Sequence, residues 1–478
     1  MSNYITKEGY IVKKTIHNKD LINEIKKELT VTPHLAFKHK NLKPSSFKVY
    51  QEGENHISIP KFYGINKLGK PIDKIEKGKD ININIIGLPR ENQKIIISTT
   101  IEHITKTGGG LICVGCGVGK TRMGLDIACH FKKKTLIIVH KTFLLNQWIE
   151  RIKQFTNARI GIIQQNKVEV EDKDIVVGML QSIAKDKYDS DIFKDFGLII
   201  FDEAHHAPSE YFSKALPIIN CNYTLGLSAT PKRADKMEKV LFWYLGEIAY
   251  MAPPNVNKMV NVRAYNYDVK DKLFKEARAK FSGDINRPKT INNIVVIEKR
   301  NQFIVDILQE IMEEPERKIL ILSDRIEHLE ILKTMIDAID MWSCEYYVGG
   351  MKQSKLDSAS EADIILGSYG MASEGLDIPT LNTLILATPR REVEQSIGRI
   401  TRSLNHVVQP LIIDIVDMLP SFVNQGIYRR KLYKKLEYNI DVYEVEDSMI
   451  VAKIELNNTV DINELKQCNM VEVDFIDD

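Results

Sequence analysis

From about residue 111 the chain sets short apolar runs between longer mixed stretches: LICV at 111–114, TLIIVH at 135–140, DIVVGML at 174–180, GLIIFD at 197–202 and TLGLSAT at 224–230. Continuous, β-branched runs of this kind fit strands covered on both faces, and their spacing leaves room for a helix between each pair. The second half repeats the rhythm with KILILSD at 318–324, DIILGSYG at 363–370, TLILATP at 383–389 and PLIIDIVD at 410–417. The pattern predicts an α/β protein with two parallel-sheet lobes in tandem. The Pro- and Asn-rich MAPPNVNK at 251–258 is the candidate linker between them. Residues 45–64, SSFKVYQEGENHISIPKFYG, lack this rhythm and read as short strands and turns of a small N-terminal accessory module. The expected division is 1–88 for that module, 89–250 and 251–420 for the lobes, and 421–478 for a C-terminal extension.

A length of 478 residues agrees with several domains, since single cores stop growing beyond about 250–300 residues. The formal net charge of +2 hides an asymmetry, because residues 441–478 carry eleven acids and two lysines and leave a basic body before an acidic tail. A basic body suits the phosphate attraction of nucleic-acid binding. The start of the chain has no apolar core of secretory type, and no run approaches the roughly 18 residues of a membrane span. An intracellular, soluble protein with no membrane partner is therefore expected. Cys113 and Cys116 form a CxxC, but no second pair accompanies it and it brackets a glycine loop, so a zinc site is not read here.

That loop is the first candidate for chemistry. VGCGVGKT at 114–121 follows a predicted strand and opens a stretch of helical spacing. Glycines such as Gly117 and Gly119 let backbone N–H groups converge on phosphate oxygens, Lys120 suits β/γ-phosphates, and the Thr121 hydroxyl suits Mg²⁺. Val114 stands where the strict pattern has glycine. GLIIFDEAHH then places Asp202 and Glu203 at the C-terminal end of a predicted strand, where ligands gather in open α/β sheets. Asp202 is a candidate Mg²⁺ ligand and Glu203 a candidate base for the attacking water. In QSIGRITR at 395–402, Arg399 and Arg402 are three apart and share a helix face. They suit either a solvated stripe or arginine fingers that answer the nucleotide from the second lobe.

LPRENQ (88–93), VGCGVGKT, VHKTFLLNQW (139–148), GMLQS (178–182), DEAHH (202–206), SATP (228–231), ILSDR (321–325), SYGMASEGLDIP (368–379) and QSIGRITR fall in one order. In that order they resemble the motifs of superfamily 2 helicases and translocases. The finer pattern is similar to the DEAH-box-bearing branch that includes XPB, UvsW and helicases of large cytoplasmic DNA viruses. The resemblance implies two RecA-like lobes and an ATPase stimulated by nucleic acid, using ATP and Mg²⁺. By the same resemblance Arg90 and Gln93 read adenine, while Gly117, Gly119, Lys120 and Thr121 take the phosphates. Asp202 and Glu203 catalyse, and His205, Ser228 and Thr230 couple hydrolysis to strand movement. Gly375 and Asp377 meet the nucleotide from the second lobe, and Gln395, Arg399 and Arg402 complete the site. Lys141, Gln147, Gln181, Ser182, Arg325 and Ser368 fall in motifs that touch the nucleic-acid backbone.

Expected partners are DNA or RNA, with transcription or replication proteins docking on the outer segments of a monomer. A viral origin implies the host cytoplasm, a virus factory or the virion. The main reading is a helicase or translocase travelling 3′→5′. The alternatives are transcript release or DNA remodelling without processive unwinding, and a nucleotide-gated scaffold. Trp148, Trp243 and Trp342 are read as core or interface residues in preference to base-stacking groups. YRRKLYKKLEY at 428–438 fits equally a strand-gripping extension or a solvated amphipathic helix that packs its Tyr and Leu.

Overall fold

The computed structural model describes residues 3–34, 45–115, 117–185, 188–206, 214–215, 220–229, 235–253, 260–279, 282–374, 376, 378–401 and 408–454. The chain forms two compact units that divide between Pro253 and Pro254, inside the candidate linker.

In the first unit an eight-stranded sheet runs in the order Lys167–Val168, Ile160–Gln164, Ile175–Met179, Thr135–Val139, Leu198–Phe201, Tyr223–Ser228, Gly109–Cys113 and Ile248–Met251. Every pairing is parallel except that of the first two strands. The strands read from continuous apolar runs are the interior ones, and all residues of Gly109–Cys113, Thr135–Val139, Ile175–Met179 and Leu198–Phe201 are buried. Toward one edge, Ile160–Gln164 alternates buried and half-buried positions, because its sheet faces are less fully covered.

The helices Lys120–Phe131 and Thr142–Phe155 cover one face, where Met123, Leu125, Leu144 and Trp148 pack against Ile112, Ile137 and Val177. The opposite face shares one apolar cluster with the N-terminal residues, in which Tyr10, Val12 and Ile57 join Leu111, Leu136 and Ile138. Those residues form a five-stranded sheet in the order Gln51–Glu52, His56–Ile59, Gly9–Lys13, Tyr4–Thr6 and Ile72–Asp73. The KFYG of the accessory segment opens the helix Lys61–Leu68, and the buried Lys61 ammonium donates to the carbonyls of Gly108 (3.2 Å) and Asn222 (2.7 Å). Tyr63 meets Trp243 edge to face at 5.4 Å.

The second unit carries another eight-stranded sheet, in the order Cys344–Tyr347, Ile364–Ser368, Ile319–Ser323, Thr383–Leu386, Leu411–Asp417, Asn261–Asp268, Asn439–Glu446 and Met449–Ile454. Only the last pair is antiparallel. Two parallel α/β sheets in tandem, with a small N-terminal module, are the architecture expected from the hydrophobic pattern. Residues 421–454, set apart as an extension in the sequence division, continue this second sheet. The helix Pro420–Lys435 precedes its last two strands and turns Arg429 and Tyr433 inward onto Asp414, at 2.7 Å and 3.0 Å. The basic and aromatic segment thus packs Tyr433 and Leu436 as an amphipathic helix does and keeps Lys431, Lys434 and Lys435 exposed, but it also buries Arg429 and Arg430, which the charge pattern alone does not announce.

Candidate functional site

The site in the first unit is set by strand order. Leu198–Phe201, Tyr223–Ser228 and Gly109–Cys113 are neighbours, with Ser228 in register with Cys113 and Phe201 with Gly226. Whatever follows these strands emerges at one edge of the sheet. The glycine loop, the candidate phosphate cradle, follows Cys113, Asp202 and Glu203 follow Phe201, and Ser228 closes the strand between them.

Gly117 and Gly119 have φ of 82° and 92°, the left-handed region that glycine enters without steric cost. Space imposes a second demand at Gly119, where a Cβ would lie 2.4 Å from the Gln93 Nε2 atom. Gln93 is 3% exposed, donates from Nε2 to the Val118 carbonyl at 2.8 Å, and accepts on Oε1 from the Arg90 backbone N–H at 2.9 Å. The loop glycine and the glutamine are therefore fitted to each other. Lys120 and Thr121 begin the helix Lys120–Phe131, whose N-terminus favours anionic oxygens.

The Lys120 ammonium lies 3.1 Å from Glu203 Oε1. Asp202 accepts two donors, the Trp148 indole N–H on Oδ2 at 2.8 Å and the Glu203 backbone N–H on Oδ1 at 3.0 Å. Burial pushes the Asp202 carboxyl above its ordinary value, the adjacent Glu203 carboxylate adds to the rise, and the Lys120 ammonium opposes it. Neighbouring carboxylates disfavour each other's ionisation, and a cation beside them relieves this. Glu203 itself has φ of 46°, an uncommon backbone state for a non-glycine residue. His205 Nδ1 is 3.2 Å from Ser228 Oγ and 3.5 Å from Glu203 Oε2, which links the acidic pair to the neighbouring strand end.

No group of three or more His, Cys, Asp or Glu side chains arranged to hold a metal occurs among the described residues. Mg²⁺ does not require one, since it is commonly held by one or two carboxylates together with substrate phosphates and water. Asp202 and the Thr121 hydroxyl fit that donor set. Cys113 is buried and its thiol is pushed up to about 11 by desolvation, so it is no ready metal ligand.

The nucleic-acid candidates of the first unit follow two further strands of the same sheet. Lys141 precedes the helix Thr142–Phe155, which carries a half-buried Gln147, and it follows Thr135–Val139. Gln181 and Ser182 follow Ile175–Met179; Gln181 donates to the His140 carbonyl, and Ser182 accepts from the Gln165 backbone N–H at 2.9 Å. In the second unit, Ser368 ends Ile364–Ser368, and Gln395 and Arg399 lie on the helix Glu394–Ile400. Arg399 is buried and donates to the carbonyls of Ala372 (2.5 Å) and Leu376 (2.8 Å). Arg325 donates to Asn292 Oδ1 (2.5 Å) and the Pro288 carbonyl (3.1 Å), on the helix Arg287–Ile294. Thr230, Gly375, Asp377 and Arg402 lie outside the described residues.

Two residues of this site escape a reading of the sequence. Trp148 is core, as expected, yet its indole N–H also steadies Asp202. A buried indole needs an acceptor, but nothing in the sequence couples position 148 to 202. Arg122 is the other: it stands beside the loop motif, and its partners are distant in the chain.

The family described as "Type III restriction enzyme, res subunit" matches residues 87–233, and the "Helicase conserved C-terminal domain" matches 300–404. A protein of Acanthamoeba polyphaga mimivirus that bears the name of a candidate ATP-dependent RNA helicase is 40% identical over 458 residues, covering 93% of this chain and 88% of that protein. An African swine fever virus protein of like name is 28% identical over 355 residues, 68% of each chain. Among solved structures, Saccharomyces cerevisiae Dbp5 bound to RNA and ADP BeF3 aligns with a TM-score of 0.52 at 12% identity, over 75% of this chain and 90% of Dbp5. The fold of two RecA-like sheets, the helicase families matched in both halves and the extended viral likeness lead to one conclusion: the chain belongs to the superfamily 2 helicases and is an ATPase of that class.

Proposed function

We propose that the protein couples ATP hydrolysis to movement along a nucleic-acid strand. The observation that carries this reading is the convergence of Lys120, Asp202 and Glu203 at one sheet edge, with Lys120 and Glu203 3.1 Å apart. Lys120 and the loop N–H groups bind the β/γ-phosphates, with Arg90 and Gln93 at the base. Glu203 orients the attacking water and accepts its proton. Asp202, steadied by Trp148, and Thr121 would hold Mg²⁺, which offsets charge on the phosphate oxygens. His205 and Ser228 carry the state of the acidic pair to the strand beside it.

Lys141, Gln147, Gln181 and Ser182 are read as backbone contacts in the first unit, and Arg325 and Ser368 in the second. The names of the viral relatives favour RNA as the track, and the basic body of the chain suits either nucleic acid. We assign Arg399 and Arg402, with Gln395, Gly375 and Asp377, to the completion of hydrolysis, so Arg402→Ala is expected to lose kcat while ATP affinity is retained.

The test is ATPase rate with single-stranded RNA, single-stranded DNA, duplex DNA and forked DNA as competing stimulants, alongside strand displacement on the same substrates. Stimulation by at least one, abolished in Lys120→Ala, is the expected result. Stimulation without strand displacement assigns translocation or transcript release instead of unwinding. A purified protein whose turnover ignores every nucleic acid refutes the proposal.

A further inference from the structure

Arg122 follows Thr121 directly and sits in the first turn of the phosphate-loop helix, yet its guanidinium is engaged away from the loop. Its Nε donates to Asp126 Oδ2 at 2.7 Å, one turn along the same helix. Its Nη1 and Nη2 donate to the carbonyls of Ile86 (3.0 Å) and Gly87 (2.7 Å). Its Cζ lies over the Phe155 ring, 4.8 Å from the centroid. The side chain is 11% exposed. A guanidinium with its donors committed in this way serves as a bracket, and the planar fork loses little freedom in doing so.

What it brackets is the segment leading into Arg90 and Gln93. That segment is also tied to the far end of the helix Thr142–Phe155: the Ile86 N–H donates to the Phe155 carbonyl at 2.7 Å, and the Asn84 N–H donates to Asn157 Oδ1 at 2.8 Å. After Gly87, with φ of 77°, the chain turns out to Leu88, which is 89% exposed, and returns at Gln93. There the Gln93 amide donates to Val118 in the phosphate loop. Residues 86–93 are therefore clasped at both ends to the phosphate-binding element, by Arg122 at the start and by Gln93 at the finish.

We propose that Arg122 is a positioning residue for recognition of the nucleotide base: it fixes residues 86–93 to the phosphate-loop helix, so that base-reading and phosphate-binding groups keep one spacing. This rests on the reading of Arg90 and Gln93 as the base-recognition pair. The ligand concerned is a purine nucleoside triphosphate. A base-less triphosphate uses only half of the gauge and does not depend on it.

The experiment is steady-state hydrolysis of ATP and GTP by the full chain with saturating nucleic acid, and inhibition by tripolyphosphate as the base-less probe. Arg122→Met keeps an unbranched apolar stem and removes the guanidinium with its donors. It is expected to raise the KM for ATP about tenfold, by loss of hydrogen bonds from a charged group, and to draw the ATP and GTP values of kcat/KM together. The tripolyphosphate inhibition constant should hold, and Arg122→Lys should recover part of the discrimination. If ATP and tripolyphosphate weaken together in Arg122→Met, or if discrimination survives intact, the proposal is overturned. Gln93→Ala separates the two readings: wild-type protein that does not discriminate, or discrimination unchanged by Gln93→Ala, defeats the base-recognition reading itself. Loss in Gln93→Ala with none in Arg122→Met defeats the role of Arg122 alone. Thermal unfolding of each variant, with the lysine variant as the conservative control, identifies a general loss of fold.

Discussion

The Lys120 ammonium and the Glu203 carboxylate are 3.1 Å apart, and each side chain is only 11% exposed. The pair joins the helix after the phosphate loop to the residue after the strand Leu198–Phe201, so neither partner can be removed without leaving a poorly solvated charge. Glu203→Gln keeps the shape of the side chain but removes the carboxylate proposed as the proton acceptor. The expected result is a fall in kcat of ~10²-fold or more with ATP affinity retained, whereas Lys120→Met weakens ATP binding as well. Single-turnover hydrolysis and nucleotide-binding titrations separate the two, and a Glu203→Gln variant with wild-type kcat removes Glu203 from the chemistry.

Trp148 contributes through one atom. Replacement by phenylalanine keeps most of the buried ring and removes the N–H that lies 2.8 Å from Asp202 Oδ2. A hydrogen bond to a charged group contributes roughly 1.5–3 kcal/mol, and its loss frees the carboxylate to turn. The half-saturating Mg²⁺ concentration of the ATPase is expected to rise in Trp148→Phe. An unchanged Mg²⁺ titration, with near-ultraviolet circular dichroism confirming a folded protein, would show that the indole only fills space.

Gly119→Ala meets two obstacles at once. Its φ of 92° is unfavourable for any residue with a Cβ, costing about 1–2 kcal/mol, and that Cβ would lie 2.4 Å from Gln93 Nε2. Relief requires Gln93 to release the Val118 carbonyl. The expected outcome is a higher KM for ATP with little change in thermal stability, read from steady-state kinetics and a melting curve. Normal ATP kinetics would mean that the loop relaxes without disturbing Gln93.

His328 makes stability depend on pH. It is fully buried, with Nε2 3.0 Å from Asn301 Oδ1 and Nδ1 3.1 Å from Ser323 Oγ. The Asn301 amide nitrogen already donates to the Val295 carbonyl at 2.9 Å, so Nε2 carries the imidazole proton and Nδ1 accepts from the serine. Burial, reinforced by the Arg300 guanidinium, holds its pKa well below the ordinary 6.5. Below that value the unfolded chain binds a proton that the folded chain refuses, so stability falls as pH drops. The slope for one proton is about 1.4 kcal/mol per pH unit. Denaturant unfolding between pH 7 and 5, measured for wild type and His328→Gln, should show a shallower dependence in the variant; equal slopes would remove His328 as the cause.

Fold and candidate phosphate site were legible in unequal parts. GLIIFDEAHH and LICVGCGVGKT announce themselves because an interior parallel strand must be apolar throughout, and its polar successors must then lie at the sheet edge. Asn261–Asp268, NVRAYNYD, gives no such signal. It is a strand because Leu411–Asp417 and Asn439–Glu446 flank it, and neither neighbour is visible from its own residues. In YRRKLYKKLEY the charge pattern fitted a solvated surface, whereas Arg429 is buried against Asp414. Pairing between residues fifteen apart in the chain changed the meaning of the pattern.

The sequence alone determined the succession of buried strands, the glycine loop with Lys120 and Thr121, and the acidic pair at 202 and 203, because each is a local consequence of burial or backbone freedom. Only the tertiary structure decided that Trp148 steadies Asp202, that Gln93 fits against Gly119, and that Arg122 reaches back to Ile86 and Gly87. Those relationships are contacts between distant segments. Their energies depend on distances and exclusion of water, which the sheet order establishes and the order of residues along the chain does not.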